Sequence, residues 1–78
     1  MGRRRVIGYS YGIRTLNRKA NKKNVGVRLG RHCIDAGIPV TEVMELLGVS
    51  KQTVYNWFIG THTPLPQHTT RIKEVFSI

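Results

Sequence analysis

The chain has 78 residues, 40% hydrophobic and 22% charged, with one cysteine and a formal net charge of +9. That is enough for one small domain of ordinary globular composition and too little for a second core. A lone cysteine excludes an internal disulfide framework, and no stretch approaches the roughly 20 apolar residues of a membrane span.

The charge points to a polyanionic partner, nucleic acid ahead of an anionic membrane. It is unevenly spread. Residues 1–31 contain Arg3, Arg4, Arg5, Arg14, Arg18, Lys19, Lys22, Lys23, Arg28 and Arg31 and no acid. Residues 32–78 contain Lys51, Arg71 and Lys73 against Asp35, Glu42, Glu45 and Glu74, which leaves them slightly acidic. The early "RRR" has no apolar run behind it, so no secretory signal is expected, and a reducing, cytoplasmic, nucleoid-associated setting fits the thiol.

Residues 1–24 read as a basic arm, extended or partly disordered. Ile7, Tyr9, Tyr11 and Ile13 alternate with Gly8, Ser10 and Gly12, a period of two that predicts a short strand. The glycines weaken that strand, because they add backbone entropy and pack nothing. "NRKANKKN" then reads as a solvated linker.

From Asn24 the pattern turns helical. Asn24 caps, Val25, Leu29, Cys33 and Ala36 recur at spacings of three and four, and Gly37 stops the helix. Val27 and Ile34 make a second apolar strip off the main core side, either incidentally exposed or a docking site for the arm strand or a partner subunit. A second helix is expected from Thr41, whose hydroxyl caps it, with Glu42 at the positive end of its dipole and Val43, Leu46 and Leu47 as its buried stripe. Gly48 ends it with a positive φ, Val49 plugs the turn, and Ser50 caps a third helix that runs to Ile59. "THTPLP" is a loop, and a last helix covers about 66–77. The expected fold is therefore all-α: a small four-helix domain over 25–78 behind a basic arm.

Residues 25–66 resemble the helix-turn-helix domains of the phage repressor and Cro family. "VGVRLGRHCIDAGI" is similar to that family's first helix and "VTEVMELLGVSKQTVYNWFIG" to its second and third. The specific part is Leu47-Gly48-Val49-Ser50 followed by Val54, Trp57 and Gly60. The chain departs from the pattern at Met44, where alanine is usual, at His32, where leucine is common, and in lacking a fifth helix. That C-terminal region often supplies the dimer contact in relatives, so the departure bears on oligomeric state.

The resemblance implies a third helix that enters the major groove. Val54 and Trp57 pack inward, while Lys51, Gln52, Thr53, Tyr55 and Asn56 are the expected base-contacting residues. Thr41 and Ser50 suit phosphate, as do Arg3, Arg4, Arg5, Arg14, Arg18, Lys19, Lys22 and Lys23 of the arm, and "GRRR" suits an A·T-rich minor groove. Trp57 and Cys33 read as core, and Phe58 as core or a subunit contact. His32, Cys33, His62 and His68 lack metal-ligand spacing, and neither paired carboxylates nor a nucleophile–base pair argues for an enzyme.

The expected function is that of a sequence-specific regulator of double-stranded DNA, repressor-like, needing no cofactor and no small-molecule substrate. A homodimer is expected because one helix reads too few base pairs for selectivity. Two other functions use the same residues: the DNA-recognition part of a phage packaging or recombination machine, and an RNA-binding basic protein.

Overall fold

Asn24 and Ser50 start helices through their side chains, Gly37 and Gly48 end them through a positive φ, and those punctuation marks set the architecture. The computed structural model describes residues 9–78, which form helices α1 (Tyr11–Lys19), α2 (Val25–Ala36), α3 (Val40–Leu47), α4 (Lys51–Phe58) and α5 (Pro66–Phe76). No strand occurs among the described residues. The Asn24 carboxamide accepts from the Gly26 N–H at 2.8 Å, and the Ser50 hydroxyl accepts from the Thr53 N–H at 3.2 Å. Gly48 adopts φ 67°, a left-handed bend that a side-chain-bearing residue enters only at a cost.

The α2–α4 pair is the centre of the domain, and two glycines let it close. A Cβ on Gly26 would lie 2.7 Å from the Trp57 Cβ, and one on Gly30 would lie 2.8 Å from the Phe58 Cγ. Leu29, Cys33, Val43, Val54, Phe58 and Ile72 are fully buried around this contact, with α3 and α5 packed on one another and on the central pair. Phe58, open to a subunit role on sequence alone, is core. Burying a side chain of that size stabilises by roughly 1.5–3 kcal/mol.

Three details of α3 differ from expectation. The helix begins at Val40, one residue early, with Pro39 in the cap position and no side-chain cap bond, so Thr41 is an exposed first-turn residue. Proline suffices there because its fixed φ pre-sets the entry. Leu46 is 36% exposed, so the buried stripe is Val40 and Val43, with Met44 and Leu47 half-buried beside them. The helix is only 8 residues long, and burial along its inner face falls from the first turn to the last.

The largest difference lies in the arm. Residues 11–19 are helical, not extended, and Asn17, Arg18 and Lys19 of the expected linker belong to α1. Ser10 caps this helix by accepting from the Ile13 N–H at 3.2 Å. The period-two pattern misleads because the exposed positions carry the bulky apolar groups: Tyr11 is 77% exposed, while the inward positions are Ile13 and Asn17, four apart. Ile7, the first residue of the expected strand, lies outside the described residues, as do Arg3, Arg4 and Arg5. The described domain thus has five helices rather than four, the additional one being N-terminal. It rests on α2 and α4 and covers Val27, whose strip was open to a partner on sequence alone.

Burial alters the chemistry of Cys33. Removal from water, with Glu42 a smaller contributor, pushes its thiol from 9.0 up to about 12. Burial likewise raises the Tyr9 phenol, helped by Cys33, Tyr55 and Glu42. Above about pH 9 the unfolded chain therefore loses a thiol proton that the folded chain keeps, so stability is intact below that pH and falls as pH climbs toward 12. Urea midpoints measured across that window should fall more steeply for the native chain than for Cys33→Ala. Parallel curves would refute the assignment.

Candidate nucleic-acid interface

α4 owes its two-sidedness to helical spacing. Val54, Trp57 and Phe58 are buried, and Gln52 and Asn56 each lie two residues from Val54, so they point about 200° away from it. Lys51 and Gln52 are exposed, and Thr53, Tyr55 and Asn56 are partly so. The Gln52 Nε2 donates to the Asn56 Oδ1 at 3.1 Å, which aligns the two carboxamides along one edge of the helix. Ser50 and Thr53 face each other at 2.9 Å between hydroxyl oxygens, at the first turn.

Tyr55 borders this edge and is held from behind. Its ring meets that of Tyr9 edge-on at 6.5 Å, and Tyr9 in turn lies 5.6 Å from the Phe58 ring. The Tyr9 hydroxyl donates to the Ile38 carbonyl at 2.7 Å, pinning the start of α1 to the corner between α2 and α3. Trp57, on the inner side, packs its ring 5.3 Å from His68 of α5. The helix that carries the exposed amides is therefore clamped on both flanks.

A buried polar knot, which the sequence did not announce, fixes α1. Asn17 is 1% exposed and donates from Nδ2 to the Val27 carbonyl at 3.0 Å and the Phe58 carbonyl at 2.7 Å. Its Oδ1 accepts from the Arg31 Nε at 2.9 Å. Arg31 also donates from Nη2 to the carbonyls of Asn17 and Arg18 at 3.1 and 3.4 Å, satisfying the C-terminal end of α1. Asn17 thus joins three helices with one amide. Its only sequence signal is an asparagine four residues after Ile13, which in a basic, polar segment reads as ordinary solvation.

The cations expected to meet phosphate do not form one group. Arg14, Arg18 and Lys19 are exposed on α1 and, with Tyr11 and Thr15, line a shallow hollow of about 320 Å³. Lys22 and Lys23 are exposed in the turn between α1 and α2, and Lys22 lies with Arg28 and Arg31 instead. Thr41 and Ser50 stand exposed at the starts of α3 and α4. Among the described residues no three His, Cys, Asp or Glu side chains gather as a metal site would require, and no helix is long and apolar enough to cross a membrane.

Comparison with known proteins agrees on the core of this arrangement. Residues 26–58 match the homeodomain-like domain family, a span that takes in nearly all of α2, the whole of α3 and the whole of α4. No curated protein and no solved structure matches the chain. The match supports the helix-turn-helix and does not single out the phage repressor and Cro family. The match over residues 26–58 supports a helix-turn-helix domain of the DNA-binding kind.

Proposed function

We propose that the chain is a sequence-specific DNA-binding regulator that reads the major groove with α4 and acts by occupying its operator. The observation that carries this reading is the paired, outward Gln52 and Asn56 on a helix whose opposite side is locked into the core. Their mutual hydrogen bond uses one donor and one acceptor, which leaves the Gln52 Oε1 and the Asn56 Nδ2 for a base edge, the complement adenine requires. Lys51 reaches guanine acceptors, Thr53 a thymine methyl or a phosphate, and Tyr55 the groove wall. Ser50 and Thr41, with Arg14, Arg18, Lys19 and Lys23 and the arm residues Arg3, Arg4 and Arg5, meet phosphate and give affinity without sequence information. The protein works as a homodimer on two half-sites, repressor-like, because a single short helix contacts too few bases for selectivity.

Selection of bound duplexes from a random pool tests the reading, and a palindrome is the expected product. Gln52→Ala should relax preference at one position per half-site, worth about 1–3 kcal/mol of discrimination. An equal loss on every sequence would count against base contact by this residue.

A further inference from the structure

Arg28 of α2 points away from α4, and Arg31 lies to its side, against the end of α1. Arg28 is two residues from Gly26 and two from Gly30, the glycines that touch Trp57 and Phe58, so it points about 200° away from that contact. Gln52 and Asn56 point away from the same contact on the other helix. Two helix diameters of about 10–12 Å each separate the two faces, so one duplex gripped by α4 does not reach both. The back face is built rather than incidental. Lys22, Arg28, Arg31, His32 and Ile78 line an open groove of about 350 Å³. The Arg28 Nη1 donates to the Lys22 carbonyl at 3.2 Å, and Arg31 is held through Nε and Nη2 by Asn17 and Arg18. Both guanidinium groups are thereby held in position at little further entropic cost, with the Arg31 Nη1 outside those bonds. His32 is braced edge-on against Phe76 at 6.1 Å. Asp35, one turn beyond Arg31, is the only acid on α2 and leaves the face net positive.

We propose that this groove is a second nucleic-acid site, which grips the phosphates of another duplex segment while α4 holds the first, so that one domain bridges two segments. The proposal rests on the DNA-reading role of α4. Phosphodiester is favoured over an acidic peptide because Arg28 and the Arg31 Nη1 stand one helical turn apart, roughly 5–6 Å between Cβ atoms, with Lys22 beside them, a row of cations suited to a repeating polyanion. Cations clustered on a face that no first duplex reaches repel one another unless a polyanion lies there.

A capture assay on the full chain decides it. One short random-sequence duplex is fixed to beads, protein is loaded, and a second, fluorescent duplex is added. The native chain should hold the second duplex. Lys22→Glu/Arg28→Glu should hold about tenfold less, with a shallower salt dependence for what remains; its thermal melt, and the milder Lys22→Ala/Arg28→Ala, report that folding is intact. Arg31 is left alone because it anchors α1. Undiminished capture by the charge-reversed chain overturns the proposal, whether the bridge is then a dimer or another surface. Loss of poly-glutamate binding with duplex capture retained overturns it in favour of an acidic protein. Gln52→Ala/Asn56→Ala, compared on a bead-bound duplex of the selected sequence and on the random one, separates the two readings: it should abolish the preference for the selected sequence and leave second-duplex capture in place. Retained preference in that variant sinks the α4 assignment alone.

Discussion

Asn17→Leu should destabilise the domain by about 3 kcal/mol and lower its melting temperature by well over ten degrees. The asparagine carboxamide makes three bonds, two to the buried Val27 and Phe58 carbonyls and one to the partly buried Arg31 Nε. Leucine keeps the branched outline with bulkier methyl groups, so no cavity opens, and the lost bonds are joined by crowding against carbonyl oxygens that sat 3.0 and 2.7 Å away. Two carbonyls lose a donor, and a guanidinium loses one of its acceptors. A buried group left unpaired costs about 1–3 kcal/mol, more beside a charge. Because marginal stability for a chain this size is roughly 4–12 kcal/mol, such a loss is large. Asn17→Asp should cost more still, since it sets a carboxylate oxygen against two carbonyl oxygens. Chemical denaturation measures both, and a loss below about 1 kcal/mol for leucine would show that the knot is dispensable.

Gly30→Val is expected to be at least as damaging, by a different route. Even alanine would bring its Cβ within 2.6 Å of the Asn17 Nδ2, 2.8 Å of the Phe58 Cγ and 2.9 Å of the Phe58 Cβ. None of these atoms is the free end of a flexible side chain. The α2–α4 contact must open, and overpacking of that kind costs about 1–3 kcal/mol. Alanine recovers roughly 1 kcal/mol through helix propensity, so Gly30→Ala should be milder and Gly30→Val severe, since valine adds bulk without that recovery. A ranking in which valine is tolerated as well as alanine would mean that the two helices have room to part. Because α4 leans on α2 through Phe58, sequence-specific binding should weaken alongside stability in both variants.

The helix-turn-helix was legible because its signals are local. Ser50 as cap, Gly48 at positive φ and the Val54–Trp57 inner edge each depend on a few neighbouring residues. The exposed set on α4 followed from the same spacing. α1 was not legible, since its inner face is carried by Ile13 and Asn17 while Tyr11 and Leu16 stand outward. With only Ile13 of its apolar side chains turned inward, beside a polar Asn17, the apolar face is too short to stand out against the neighbouring glycines and the period-two run. Thr41 failed as a cap for a smaller reason: Pro39 starts the helix without a side-chain bond. The division of the cations into an α1 group and an α2 group was also hidden, because a run of charges in sequence says nothing about which side of a core each one leaves from.

By itself the sequence determined the turn, the Asn24 and Ser50 caps and the amide-bearing edge of α4, all properties of residues within one or two helical turns of each other. Only tertiary structure decided that Asn17 is core, that Tyr9 backs Tyr55, and that Arg28 faces away from Gln52. Those facts depend on contacts between residues 10 to 46 positions apart, where the meaning of a polar side chain is set by what packs over it.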